Sequence, residues 1–148
     1  MTKNIINFYE PDALYGFLSN FYAAPLRIEK ETWLTSEHYY QACKFDDQAL
    51  RRKIQRAATP DEAFILSREF EFQVKTDWLD RRCDVMRFVV EQKFQQHVDL
   101  AQKLASTYPA VLVERSDCDA FWGAGQYGDG LNKLGGILMD VRSKILMQ

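Results

Sequence analysis

Histidine and cysteine are scarce in this chain of 148 residues: two histidines, His38 and His97, and three cysteines, Cys43, Cys83 and Cys118. The cysteines stand far apart, are odd in number and form no CxxC. That argues against a disulfide framework and fits a reducing, cytoplasmic setting. The histidines fall in separate segments, so no metal site of the His/Cys type is expected. Neither sign of charge prevails: 19 Lys and Arg against 21 Asp and Glu leave a net charge of −2. Strong steering toward nucleic acid or anionic lipid is therefore not expected. No apolar run is long enough to span a bilayer. The N-terminal MTKNIINFYE has no apolar core of signal-peptide length, and no membrane partner is expected. Repeats, low-complexity tracts and dividing linkers are also missing.

What is present is a chain built to fold. Hydrophobic residues make up 47% and aromatics 14%, and the length suits one domain over residues 1–148 with a real core. Residues 4–9 read as a strand, and GFLSNF (16–21) as a turn-bearing loop. Pro25 to Ile28 and Glu31 to Leu34 read as two strands joined by a tight turn at Glu29–Lys30. Thr35 or Ser36 can cap a helix running to about Asp46, and a second helix covers Gln48 to Arg56. Thr59-Pro60 starts a third that reaches about Glu69. After Asp77, the spacing of Val85, Met86, Val89, Val90, Phe94 and His97 gives the strongest helical signal. A break near Asp99 precedes a further turn through Ala105. Ala110 to Val113 reads as a strand, and a last helix spans Asn132 to Met147. The fold class is α+β, mainly helical, with a few short antiparallel strands.

Four stretches carry candidate chemistry. In EHYYQACKF, Glu37, Tyr40, Gln41 and Lys44 share one helical face, and His38, Tyr39, Ala42, Cys43 and Phe45 the other. The second face is apolar enough for core; the first is either solvent or a pocket wall. An acid in a first helical turn is favoured by the helix dipole alone, but a fixed carboxylate can also orient water or stabilise a developing cation. In GFLSNF, Ser19 and Asn20 beside Phe21 either satisfy their own loop or line a site. In KTDWLD, Trp78 is either a packed indole at a helix start or a stacking surface for a flat ring.

The fourth stretch, residues 116–135, holds GAGQYG, a G-x-G-x-x-G string. A dinucleotide fold needs further strands that a chain ending about twenty residues later cannot supply. The glycines still allow close backbone approach to a ligand, and the helix start near Asn132 can hold an anion. Asp117 and Asp119 lie just ahead, beside Trp122.

Taken in order, GFLSNF, W-x-T-x-EHYYQA-x-KF, Asp77-Trp78, and the run from Asp119-x-x-Trp122-Gly123 through Gly128-x-Gly130-x-Asn132-x-Leu134-Gly135 to Val141-Arg142 resemble the NADAR superfamily. This group includes YbiA-like proteins and riboflavin-intermediate N-glycosidases. The resemblance spans about residues 5 to 146. It implies a compact helix-rich domain that hydrolyses the bond between ribose and a base, without metal or organic cofactor. The implied partner is a small nucleotide-like substrate, a phosphoribosylamino-pyrimidine intermediate of riboflavin synthesis, or nucleic acid carrying ADP-ribose on guanine. Carried over residue by residue, it implies Glu37 as the main catalytic carboxylate, with Asp119 and Trp78 as partners. Ser19, Asn20, Phe21, Tyr40, Trp122, Gly123, Gly128, Gly130 and Asn132 would line the substrate site. Two positions depart from the family's usual residues: Lys75 stands where Arg is frequent, and Ser67 where Gly is common. The competing expectation is a module that grips ADP-ribose or a related nucleotide without cleaving it.

Overall fold

The structure, a computed structural model, describes residues 4–148, so the first three residues of the expected 1–148 domain lie outside it. In chain order its elements are β1 (Ile5–Phe8), β2 (Leu26–Ile28), β3 (Glu31–Trp33), α1 (Ser36–Ala42), α2 (Gln48–Gln55), α3 (Pro60–Glu69), α4 (Trp78–Gln96), α5 (Val98–Ser106), β4 (Val111–Glu114) and α6 (Lys133–Leu146). The class is the expected mixture of α and β, mostly helical. Backbone contacts divide the chain into two compact units, one continuous over 23–96 and one made of the segments up to Tyr22 and from His97 onward.

The continuous unit opens with an antiparallel hairpin, Leu26 facing Trp33 and Ile28 facing Glu31. Its turn residues Glu29 and Lys30 both have positive φ, 52° and 68°. Left-handed geometry at both positions matches the twist of a two-residue hairpin, at a steric cost to side-chain-bearing residues. α1 starts where Thr35 accepts a hydrogen bond from the His38 N–H. It ends at Ala42 rather than near Asp46, because the Arg51 guanidinium donates to the carbonyls of Ala42 (3.0 Å) and Phe45 (3.4 Å). Those carbonyls close the helix instead of continuing it. Asp47 then caps α2 by accepting from the N–H groups of Ala49 and Leu50. Thr59 caps α3, with Pro60 at its first position and Glu62 reaching back to the Ala58 N–H at 2.9 Å.

α4 buries the expected stripe of Met86, Val89, Val90 and Phe94. It stops at Gln96, so His97 is not part of the stripe but precedes α5, and the break falls two residues before Asp99. Lys93 joins the buried stripe at 1% exposure, which the apolar pattern did not announce. Burial pushes its ammonium group down to about 7. An unfolded lysine holds its proton to about pH 10.4, so between the two values the unfolded chain binds the extra proton and folding stability rises with pH. In thermal melts between pH 7 and pH 9, the parent protein should gain about 2 kcal/mol relative to Lys93→Met. A difference that does not change with pH would contradict the buried, proton-shedding state.

In the other unit, β1 pairs with β4 in parallel, from Ile5 opposite Val111 to Phe8 opposite Glu114. The expected antiparallel pairing is that of the β2–β3 hairpin, whereas this second pair is parallel. Parallel neighbours require a long crossover, and here most of the chain intervenes between the two strands. α6 buries Leu134, Ile137, Leu138 and Val141 as its stripe requires, and it also buries Arg142. Arg142 Nη1 donates to Thr107 Oγ1 at 3.0 Å and to the Ala110 carbonyl at 2.8 Å, tying α6 to the turn after α5. Among the described residues, no helix is long and apolar enough to cross a membrane.

Candidate active site

The Glu37 face of α1 is not solvent. Glu37, Tyr40 and Gln41 are buried and Lys44 is half-buried, while His38, Ala42, Cys43 and Phe45 are buried on the other face. α1 packs against α2, α3 and α4, so a short helix is covered nearly all round. Glu37 stands in its first turn, and its Oε1 accepts a hydrogen bond of 2.6 Å from Gln41 Nε2 one turn later. The Tyr40 ring meets the buried Trp78 indole, centroids 5.2 Å apart and planes inclined by 54°. The Lys75 N–H donates to the Lys44 carbonyl at 2.8 Å, which ties the segment before Trp78 to the end of α1. The continuous unit thus brings Glu37, Tyr40 and Trp78 together.

The two departures from the family pattern lie beside this group. Lys44 Nζ sits 5.6 Å from the Tyr40 ring centroid and donates to the buried Ser67 hydroxyl at 3.3 Å. A glycine at 67 would offer no such acceptor. Lys75 Nζ faces Asp46 at 3.6 Å, an ion pair whose acid is almost fully exposed, and such pairs contribute little. Asp77 pairs with Arg81 at 3.5 Å. His38, the most chemically suggestive neighbour of Glu37 in sequence, is a core residue. Its Nε2 lies 3.0 Å from the Ala57 carbonyl and must donate there. Its Nδ1 then accepts from the Thr35 hydroxyl at 2.8 Å. Desolvation lowers its pKa, which favours the neutral ring.

The remaining expected residues fall in the other unit. Ser19 Oγ accepts from the Phe21 N–H at 3.1 Å, the local loop bond foreseen as one alternative, and Ser19 and Asn20 are buried while Phe21 is half-buried. Asp119 Oδ1 accepts from the N–H groups of Phe121 (2.9 Å) and Trp122 (2.8 Å), so this carboxylate shapes its own loop. The Trp122 and Phe121 rings meet edge to face, centroids 4.7 Å apart. Asn132 does not cap α6. Its backbone is left-handed at φ 51°, and its side chain bridges β4, accepting from the Glu114 N–H (3.0 Å) and donating to the Leu112 carbonyl (2.9 Å).

The glycine loop is closed on itself. The N–H groups of Leu131, Asn132, Lys133 and Leu134 donate to the carbonyls of Ala120, Gly123, Phe121 and Trp122. Among the described residues, these four N–H groups at the start of α6 are therefore engaged rather than open to an anion, against the expectation from sequence. Gly128 is needed for its φ of 76°, and Gly130 because a Cβ there would stand 2.5 Å from the Gly123 carbonyl oxygen. Gly123 likewise packs against β4, where a Cβ would lie 2.9 Å from the Glu114 carbonyl oxygen.

Two cavities are formed, one in each unit. One of about 370 Å³ is lined by Trp33, Phe45, Arg51, Arg52 and Lys75 among others. The second, about 290 Å³, is lined by Phe8, Tyr9, Leu14, Tyr15 and Arg115 with three neighbours. Neither is lined by a residue expected at the site. Among the described residues, no group of three or more His, Cys, Asp and Glu side chains is placed to hold a metal ion.

A family model described as the NADAR domain matches residues 7–146, nearly the whole chain and both units. The chain belongs to the NADAR family. Within it, this NADAR domain is 40% identical over 148 residues to the N-glycosidase YbiA of Escherichia coli strain K12, covering all of the chain and 92% of YbiA. It is 49% identical over 140 residues to the riboflavin biosynthesis protein VVA0006 of Vibrio vulnificus, covering 95% of the chain but only 38% of that longer protein. The solved NMR structure of E. coli YbiA superposes with a TM-score of 0.90 at 41% identity, covering 99% of this chain and 88% of that one. The NADAR domain is thus YbiA-like in sequence and in backbone.

Two residues that the sequence reading did not assign to the site stand out beside Glu37: Gln41 and Lys44. Their signal was present, since both share its helical face, but their side-chain partners are visible only in three dimensions.

Proposed function

We propose that this protein is an N-glycosidase that hydrolyses the bond between C1′ of a ribose and the nitrogen of a base. The observation that carries the reading is Glu37: a buried carboxylate, fixed at 2.6 Å by Gln41 and backed by the Tyr40–Trp78 pair, in a chain of the family that includes YbiA. As the C1′–N bond breaks, its electron pair leaves with the base and positive charge grows on the sugar. Glu37 stabilises that charge and takes one proton from the water that attacks C1′, while the departing base nitrogen takes up a proton from solvent, so that water is added across the broken bond. The logic is that of the two-carboxylate glycosidases, with a nitrogen leaving group in place of an oxygen. Tyr40 is suited to donate a hydrogen bond, and Trp78 is the stacking surface for the base.

Two substrate classes suit this chemistry. One is the phosphoribosylamino-pyrimidines of riboflavin synthesis, in keeping with the riboflavin biosynthesis names of the Vibrio relative and of the Zea mays protein PYRR. The other is ADP-ribose on guanine in nucleic acid. Offering both in parallel and following release of ribose phosphate or ADP-ribose by mass spectrometry decides between them. Release from neither, with ADP-ribose still raising the melting temperature, would favour the non-catalytic binding module.

A further inference from the structure

Gln41 is 3% exposed, and its two amide atoms have different fates. Nε2 donates to Glu37 Oε1 at 2.6 Å. The other atom, Oε1, is buried and, among the described residues, has no hydrogen-bond partner. A flipped amide would not remove the vacancy. The role proposed for Glu37 needs an ionised carboxylate, which only accepts, so the nitrogen faces Glu37 and the oxygen is the group left over. Buried acceptors without a partner are rare and costly, and they point to a donor supplied from elsewhere.

We infer that Gln41 Oε1 accepts a hydrogen bond from the 2′-hydroxyl of the ribose, and so makes the site selective for ribose over 2′-deoxyribose. The inference rests on the N-glycosidase reading, which sets Glu37 at C1′. One amide width from the Glu37 oxygen, the sugar atom that offers a donor is the hydroxyl on the carbon next to C1′. A hydrogen bond at this hydroxyl also strengthens as the sugar becomes cationic, so it serves the transition state more than the bound ground state. Gln41 then holds the carboxylate with its nitrogen and reads the sugar with its oxygen.

Calorimetric titration of the parent protein with ribose 5-phosphate and with 2-deoxyribose 5-phosphate tests this directly. The parent should bind the ribose form about tenfold more tightly or better. Gln41→Met, of similar length and without the acceptor, should bind the two sugar phosphates equally. A parent protein that binds both alike overturns the inference whether or not the variant folds, and so does a folded Gln41→Met variant that keeps the parent's preference. If either result comes with cleavage of a substrate by the parent, the N-glycosidase reading stands alone. A preference lost in the variant but no cleavage of any substrate would keep the role of Gln41 as a sugar reader and remove the reading as an enzyme. Binding of neither sugar phosphate together with no cleavage removes both.

Discussion

Replacing Glu37 by Gln should lower kcat by about 10³-fold and change substrate affinity by less than about threefold. The substitution keeps the shape of the side chain, and its amide oxygen can still accept from Gln41 Nε2, so α1 retains the 2.6 Å bond. What it removes is the negative charge, together with the ability to take a proton from water. In the proposed reaction both are needed only as the C1′–N bond breaks, so the loss should fall on the chemical step. Single-turnover rates, alongside equilibrium binding of the uncleaved substrate to the variant, separate the two quantities. Undiminished turnover in the variant would transfer the catalytic role to another group. Matching losses of rate and affinity would show that Glu37 serves binding instead.

The second large effect is on folding, and it reverses sign between adjacent residues. Gly135 lies where α6 crosses β4, and a Cβ there would overlap the Leu112 carbonyl oxygen and both side-chain amide atoms of Asn132. Gly135→Ala forces the helix away from the strand and breaks the two hydrogen bonds by which Asn132 holds β4. Overpacking plus the lost bonds should cost roughly 3 kcal/mol. At Gly136, among the described residues, nothing lies within 4 Å of an added Cβ. Gly136→Ala should therefore stabilise by about 0.5 kcal/mol, because alanine loses less backbone freedom in a helix than glycine does. Urea unfolding of the two variants checks both signs. Equal effects at the two positions would contradict the close crossing.

Much of the local structure was legible because its causes are local. Thr35 and Thr59-Pro60 announce helix starts through their own side-chain chemistry, and the Met86, Val89, Val90, Phe94 series of α4 repeats at the helical period. The end of α1 was not legible, since it depends on a guanidinium nine residues beyond Ala42. The parallel pairing of β1 with β4 depends on segments more than a hundred residues apart. At the site, the carboxylate proposed as catalytic and its aromatic neighbours were legible through motif order and family resemblance. Burial of the whole Glu37 face was left undecided by sequence, because Tyr40, Gln41 and Lys44 are as much at home in water as against a pocket. Lys93 and Arg142 were invisible for the opposite reason. Charged residues on an otherwise apolar stripe read as its edge until packing places them inside. Asn132 and Asp119 read as ligand groups, whereas their visible bonds are to backbone.

The parallel strand pair has a consequence for biosynthesis. Residues 23–96 leave the ribosome as one uninterrupted piece, with every strand and helix of their unit already made, and can assemble while translation continues. β1 emerges earlier than any of them yet finds no partner until β4 follows a hundred residues later. β1 is thus held in waiting in the nascent chain, its edge unpaired, until β4 has been synthesised.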